Sequence, residues 1–496
     1  MNQTVSRVYW GAQGRHTHRG AAQVRDLVRK EIGMSRIPYS EHSPSHDGAE
    51  SIVGADSPGA GHARAPSGPY HRRLERTKRP SSAWIGLGVL LLILPAAGCK
   101  QKWEQPVRDE EMESAFFAGL DTKAIADLPE PSRLRPCCVF GNDIGVQIRS
   151  IPMPGYEIQN VLDIDELGTH QYNKGSIAAQ PRGQGGLVSD EASGILYTCR
   201  GGFIDISHVR DNADRTLYLA AQIGRLATAG GTIPISGEGA ERRIVVRPLD
   251  PRLVKAYGLR EVVTQLAEWL DFQASIWHEI ATWYKWSSTP FSEQPSAFSP
   301  EDLYSNLVGA KIAAIIIRRQ EASSEIEYNR AVTAVLKDAL GKLGPLPKEA
   351  TRRAFAYVDG IWWDSTKRVP DNQLMRHRNF NVGPTLSPWK LADAQLSPSL
   401  VADRAEFDQA CHNDWSPLRL TVVDRLMKVP FRNMATLEIQ PGEVLLQNGF
   451  PLTGKVVTQA DFPSLIATIA RAADAELGAG AGSPTARPGE ATRKSK

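Results

Sequence analysis

Two stretches of this 496-residue chain hold residue types suited to metal or acid–base chemistry, "FIDISHVRDNADRT" (203–216) and "DFQASIWHEIATW" (271–283). At 100° per residue, Asp271, Ser275, His278 and Thr282 fall on one helical stripe. Asp205, His208, Asn212 and Thr216 form a second stripe of the same character. Solvated helix faces usually carry long charged chains and ion pairs at i,i+4. Stripes of short polar groups around a histidine suit a polar cavity instead. If the two helices face each other, His208, His278 and Asp205 become metal ligands, and Glu279 or Asp211 becomes a general base. Two imidazoles with carboxylates suit a divalent metal, zinc or a similar ion. His278-Glu279 begins the H-E-x-x-H peptidase pattern, but Thr282 stands where the second histidine belongs. The competing explanation is structural: each histidine bonds a carboxylate or carbonyl within packed helices, with no metal.

These residues need helices to position them. Apolar residues at helical spacing predict helices over 204–227, 259–286, 323–340 and 461–476. A further helix opens at "SPEDLYSN", with Ser299 as N-cap, Pro300 at the first helical position, and Glu301 and Asp302 against the positive end of the dipole. Glu301 and Asp302 are also candidates to reach the site. Short strands are expected at 242–249, 435–440 and 454–459. The expected fold is mostly α, a multi-helix globular core with small peripheral β elements.

The chain ends limit which residues count. Residues 85–98, "IGLGVLLLILPAAG", are apolar, follow several arginines and lysines, and stop at Cys99. The run is short for a membrane span and reads as a secretory signal. Small residues before one cysteine resemble a lipobox, which makes Cys99 the lipidated mature N-terminus. Lys100 at the next position favours the outer membrane over the inner one, and hence a periplasm-facing, lipid-anchored envelope protein. Residues 1–73 have a disordered composition and suggest a start codon placed too far upstream. The expected organisation is 1–73 disordered, 74–98 signal peptide, 99–130 mature N-terminal segment, 131–475 main helical domain and 476–496 disordered tail. Six of eleven histidines fall in the first segment, leaving His170, His208, His278, His377 and His412. A net charge of +3, with much of the basic excess before Cys99, argues against nucleic acid. An exported chain can oxidise Cys137, Cys138, Cys199 and Cys411, and the sequence leaves their pairing open.

Taken together, "YTCRGGFIDISHVRDNAD", "IWHEIATWYKW", "SAFSPEDLYSNLVG" and "VDGIWWDS" resemble a family of bacterial envelope proteins, often lipoproteins, known only as a domain of unknown function. The resemblance covers about residues 130 to 465 and implies envelope localisation without an activity. More loosely, the chain is similar in style to helical metal-dependent hydrolases that gather His and Asp from several helices.

Three functions compete. One is a metal-dependent envelope hydrolase acting on an ester, phosphoester or amide. Another is a non-enzymatic lipoprotein binding envelope glycan or a partner protein through Trp277, Trp283, Trp286, Trp362, Trp363 and Trp389. The third is a papain-like thiol hydrolase using Cys199, His208 and Asp205.

Overall fold

A buried helix with a polar stripe organises the molecule. The computed structural model describes residues 123–135, 139–148, 151–174, 191–285, 293–391, 407–411 and 416–480. The apolar run, Cys99, Cys137, Cys138, Trp286 and His412 lie outside them. Strands β1 (Ile144–Ile148) and β2 (Ile151–Ile158) form one antiparallel hairpin. Strands β3 (Ile195–Thr198) and β4 (Gly202–Asp205) form another, which delivers the chain into helix α1 (Ile206–Leu226). Next come β5 (Gly231–Ile235), β6 (Ala240–Val246), α2 (Pro251–Tyr257), α3 (Leu259–Trp283), α4 (Asp302–Arg318), α5 (Glu325–Leu343) and α6 (Lys348–Tyr357). After four two-residue strands, β7 (Thr385–Leu386) to β10 (Val429–Pro430), come β11 (Ala435–Pro441), α7 (Glu443–Gln447), β12 (Val457–Thr458) and α8 (Phe462–Gly480).

Helix α1 packs against both α3 and α4, and α4 also packs against α3 and α5. Sixteen residues of α1 are buried, polar ones among them, so it is a core helix rather than an amphipathic surface one. Gly309 lets α1 and α4 approach closely. A Cβ there would stand 2.1 Å from the Val209 carbonyl oxygen, so any larger residue would push the helices apart. On the other side of the core, β12-β11-β6-β5 form an antiparallel sheet. Its inward residues Ile233, Ile244, Val246, Leu437 and Ile439 join the same apolar cluster as α1, α3 and α4. Helix α8 closes α3 from outside, with Phe462 stacked on Trp277 at 6.4 Å between ring centroids.

The fold is therefore mixed α/β with small sheets, rather than mostly α with β confined to the periphery. The discrepancy has a plain cause. Strand β3 is buried along its whole length and shows no alternation, and β5 carries a proline. Other expectations shift by a few residues. The final helix runs on to Gly480, beyond the expected tail boundary at 476. Helix α4 starts at Asp302, not after Ser299. Ser299 is not its N-cap; the Ser299 N–H donates to Asp302 Oδ2 at 2.9 Å, so the aspartate holds the turn.

Cys199 and Cys411 form a disulfide across 212 positions. This overturns the thiol-hydrolase reading, because no free thiolate remains at Cys199 to attack a substrate. Most of the tryptophans offered for glycan or partner binding pack inside the core. Trp277, Trp283, Trp362 and Trp363 are buried in the core, and Trp389 is half-buried with its ring against Trp362. The four buried rings are closed to a sugar.

Candidate metal centre

The two stripes do face each other. His208 in the first turn of α1 and His278 near the end of α3 have ring centroids 5.8 Å apart. Each protrudes from a core helix into a small cavity of about 20 Å³, roughly room for a single ordered water. Ser207, His208, Asp211, Asn212, Arg215, Ser275, His278, Glu293 and Asn306 are among its lining residues.

Hydrogen bonding sets the state of the His208 imidazole. The Arg215 guanidinium can only donate, and its Nη2 lies 2.6 Å from Asn212 Oδ1. The Asn212 amide nitrogen therefore faces the His208 carbonyl at 2.8 Å and Asn306 Oδ1 at 2.6 Å. Asn306 Oδ1 is an acceptor, so His208 Nδ1, 2.8 Å away, carries the proton. The other ring nitrogen, Nε2, lies 3.4 Å from Asp302 Oδ1. His278 Nδ1 lies 3.4 Å from Glu238 Oε1 without a well-directed bond, and Glu238 is itself paired with Arg242. Metal-binding histidines commonly commit one nitrogen as His208 commits Nδ1, donating it to a carboxylate or carbonyl oxygen that orients the ring and raises its basicity.

Carboxylates converge on these rings. Donor atoms of His208, His278 and Glu279 lie within 4.8 Å of one another, and so do those of Asp205, His208 and Asp302. Asp205 caps α1, accepting from the N–H groups of Ser207 at 2.7 Å and His208 at 3.4 Å, so it lies just outside the helix expected to contain it. Glu279 Oε2 accepts from the Phe298 N–H at 2.6 Å, while its Oε1 has no hydrogen-bond partner. Asp302 Oδ1 is 3.4 Å from His208 Nε2 but forms no well-directed bond. Glu301 is buried, and neither of its carboxylate oxygens finds a partner. Buried carboxylates without donors are costly unless neutralised by a proton or a cation.

The electrostatics follow from this crowding. Burial pushes Glu279 up to about 7, against the partial opposition of the Phe298 N–H. Burial and neighbouring carboxylates hold Glu301 and Asp302 well above the usual carboxylate range. Burial would also raise Glu238, but Arg242 and His278 outweigh it and hold this carboxyl down at about 2. The signs of these shifts set opposite limbs of stability against pH. Glu238, depressed when folded, contributes stability above the unfolded value near 4.5 that is lost as pH falls towards 2. Glu279, raised when folded, carries no penalty below about 4.5 and an increasing one as pH rises through 7. Chelator-stripped protein is thus expected to lose about 3 kcal/mol between pH 5 and 8 from Glu279 alone. Urea melts at both pH values would measure it, with Glu279→Gln flattening the loss. Equal stability of the wild type at both pH values would contradict the assignment.

The other expected site residues have different roles. Asp211 lines the cavity, but both of its oxygens are held by Arg135, at 2.9 Å from the backbone N–H and 2.6 Å from the guanidinium. It is poorly placed to act as a base. Asp271 pairs with Arg215 at 2.5 Å, and Ser275 donates to Asn212 Oδ1 at 2.5 Å, so both stripe members orient the ligands indirectly. Thr282 is buried one turn beyond His278 with its hydroxyl unbonded. His170 belongs to an adjoining buried network, flanked by Asp214 at 2.9 Å and Glu191 at 3.3 Å, which also ties down Arg135 and Arg210. Sequence reasoning missed Glu238, Glu293 and Asn306. The one available signal was "GEG" at 237–239, a glutamate between two glycines with positive φ of its own.

No curated protein and no solved structure matches the chain. One family model does, over residues 125–392, a span that contains every residue placed at the histidine pair above. The chain therefore belongs to the family described as protein of unknown function (DUF4056).

Proposed function

We propose that this chain is a metal-dependent hydrolase of the bacterial cell envelope, lipid-anchored through Cys99 and acting on an ester, phosphoester or amide. The observation that carries the reading is the histidine pair. Two imidazoles on facing core helices, His208 with Nδ1 on Asn306 Oδ1 and His278 with Nδ1 3.4 Å from the Glu238 carboxylate, stand beside buried carboxylate oxygens that lack donors. His208, His278 and Glu279 hold a divalent ion in this reading. The ion would supply Lewis acidity and an acidified water at neutral pH.

The chain's own residues do the rest. Of the two carboxylates lining the cavity, Asp211 is committed to Arg135, and Glu293 is the other acidic group there. Arg215 reaches the same cavity. Its Nε and Nη2 are used by Asp271, Asn212 and Ser275, and its Nη1 lies outside these bonds, positioned to meet a substrate oxygen.

The test is elemental analysis of the full chain purified without chelator, together with hydrolysis of nitrophenyl esters, phosphoesters and anilides. Zinc or manganese near one equivalent or above, with metal-dependent turnover of one class, is the expected result. Protein that holds no metal and takes up none on incubation would overturn the proposal.

A further inference from the structure

The polar stripes of α1 and α3 are joined by hydrogen bonds that share one direction. Asp271 on α3 accepts from Arg215 Nε on α1 at 2.5 Å. Arg215 Nη2 donates to Ser275 Oγ at 3.0 Å and to Asn212 Oδ1 at 2.6 Å, and Ser275 Oγ lies 2.5 Å from that same oxygen. Asn212 Nδ2 donates to the His208 carbonyl at 2.8 Å and to Asn306 Oδ1, on α4, at 2.6 Å. The last link is His208 Nδ1 on Asn306 Oδ1 at 2.8 Å. All six side chains are buried. A side-chain amide can turn over and exchange its donor and acceptor ends. Asn212 is barred from doing so. Its nitrogen would face a guanidinium that only donates, and its oxygen would face a carbonyl that only accepts. With Asn212 fixed, turning Asn306 would set two amide NH2 groups against each other. Unmatched contacts of this kind are costly in a buried site. Direction therefore passes from Arg215 through two amides to the imidazole.

We infer that Asn212 and Asn306 are positioning residues for His208: Arg215 holds their amides in one orientation, which keeps a proton on His208 Nδ1 and makes Nε2 the nitrogen through which the ring takes an ion or exchanges a proton. Nε2 is the atom that lies 3.4 Å from Asp302 Oδ1. The relay begins on α3, the helix that carries His278, so the two stripes cooperate in setting one ring. This gives the short polar chains of both stripes a use that long charged ones could not fill. A lysine or glutamate at 212 or 275 would break the sequence of donors and acceptors. The relay itself needs no metal. Its bearing on hydrolysis rests on the metal-dependent reading above, in which His208 is a ligand.

Two changes that keep side-chain shape have opposite expected results. Asn212→Asp puts an oxygen where a nitrogen faced Asn306. Asn306 then turns to donate its NH2 both to that oxygen and to His208 Nδ1, and the ring proton moves to Nε2. Asn306→Asp keeps an oxygen facing His208, and the proton stays on Nδ1. The full chain, stripped with chelator and carrying nitrogen-15 in its histidine rings, reports the difference at mildly alkaline pH. Protonated and bare ring nitrogens resonate in separate regions, and His208→Gln identifies the signals of His208. Wild type and Asn306→Asp are expected to be protonated at Nδ1, and Asn212→Asp at Nε2. A bare Nδ1 in the wild type would overturn the relay without any variant having to fold. A proton still on Nδ1 in an Asn212→Asp protein with wild-type near-ultraviolet circular dichroism would overturn it as well. Zinc titration of the same proteins separates the relay from the hydrolase reading. Asn212→Asp is expected to bind zinc about 10–100-fold more weakly, as when a ligand loses its outer partner. A wild type that takes up no zinc but shows the expected ring signals would sink the metal-dependent hydrolase and leave the relay standing.

Discussion

Replacing His278 with alanine is expected to weaken binding of the divalent ion by more than about 100-fold. Loss of an outer hydrogen-bond partner alone costs roughly 10–100-fold, and this change removes a ligand. Activity that depends on that ion should fall with it, at every substrate concentration. The structure supplies an internal scale for the measurement. Glu238→Gln keeps the size of the side chain at 3.4 Å from His278 Nδ1 but removes the charge beside the ring. Its effect should lie between wild type and His278→Ala, at about 10–100-fold. His278→Ala should still fold, because Glu238 remains paired with the buried Arg242 and no new unpaired charge appears. Calorimetric titration with zinc on chelator-stripped full chain would rank the three proteins. Equal affinities for wild type and His278→Ala would sink the ligand assignment. A Glu238→Gln protein weaker than His278→Ala would mean that the carboxylate, not the imidazole, is the donor.

The helical positions of the centre were legible because their information is local. Asp271, Ser275 and His278 share a stripe through the 3.6-residue period, as do His208 and Asn212, and no tertiary contact is needed to see it. That the stripes meet was a condition in the sequence, with which their short polar character agreed. The structure adds that Arg215, which a one-helix reading leaves on a neighbouring face, turns into the cavity and pairs with Asp271 across the helices. The groups that decide imidazole chemistry were not legible. Asn306 reaches His208 from a third helix, 98 positions away, and Glu238 reaches His278 from the loop before β6. Side chains that act across such separations leave no periodic trace. The same limit explains the sheet. Strands of four to seven residues, buried on both faces or carrying a proline, lack the alternation that marks a half-buried strand. Glu301 shows a subtler limit. An acidic residue at a helix start has an ordinary explanation in the dipole, and only its burial without a partner sets it apart.

Reduction of the Cys199–Cys411 bond should lower the folding free energy by about 5 kcal/mol on the loop-entropy model, because the bond closes 212 positions of chain in the denatured state. Local strain and residual denatured structure usually reduce such figures, so a measured loss of roughly 2–5 kcal/mol is the expected range. The metal centre should respond differently. Cys199 opens the turn between β3 and β4, and that turn is also tied to the end of α5 by the Cys199 N–H on the Gly344 carbonyl at 2.8 Å and the Arg200 N–H on the Leu343 carbonyl at 2.9 Å. Asp205 is then placed by its own cap and by its N–H on Ser305 Oγ at 3.0 Å, neither of which involves the disulfide. Urea unfolding of wild type and Cys411→Ser should therefore show a lower midpoint for the variant, and zinc titration of the folded variant should give the wild-type affinity. A loss of stability below about 1 kcal/mol would mean that the denatured chain is already held compact without the bond. A large fall in zinc affinity in the still-folded variant would show that the disulfide positions Asp205 and His208, and that the hydrogen bonds from the turn to α5 do not suffice.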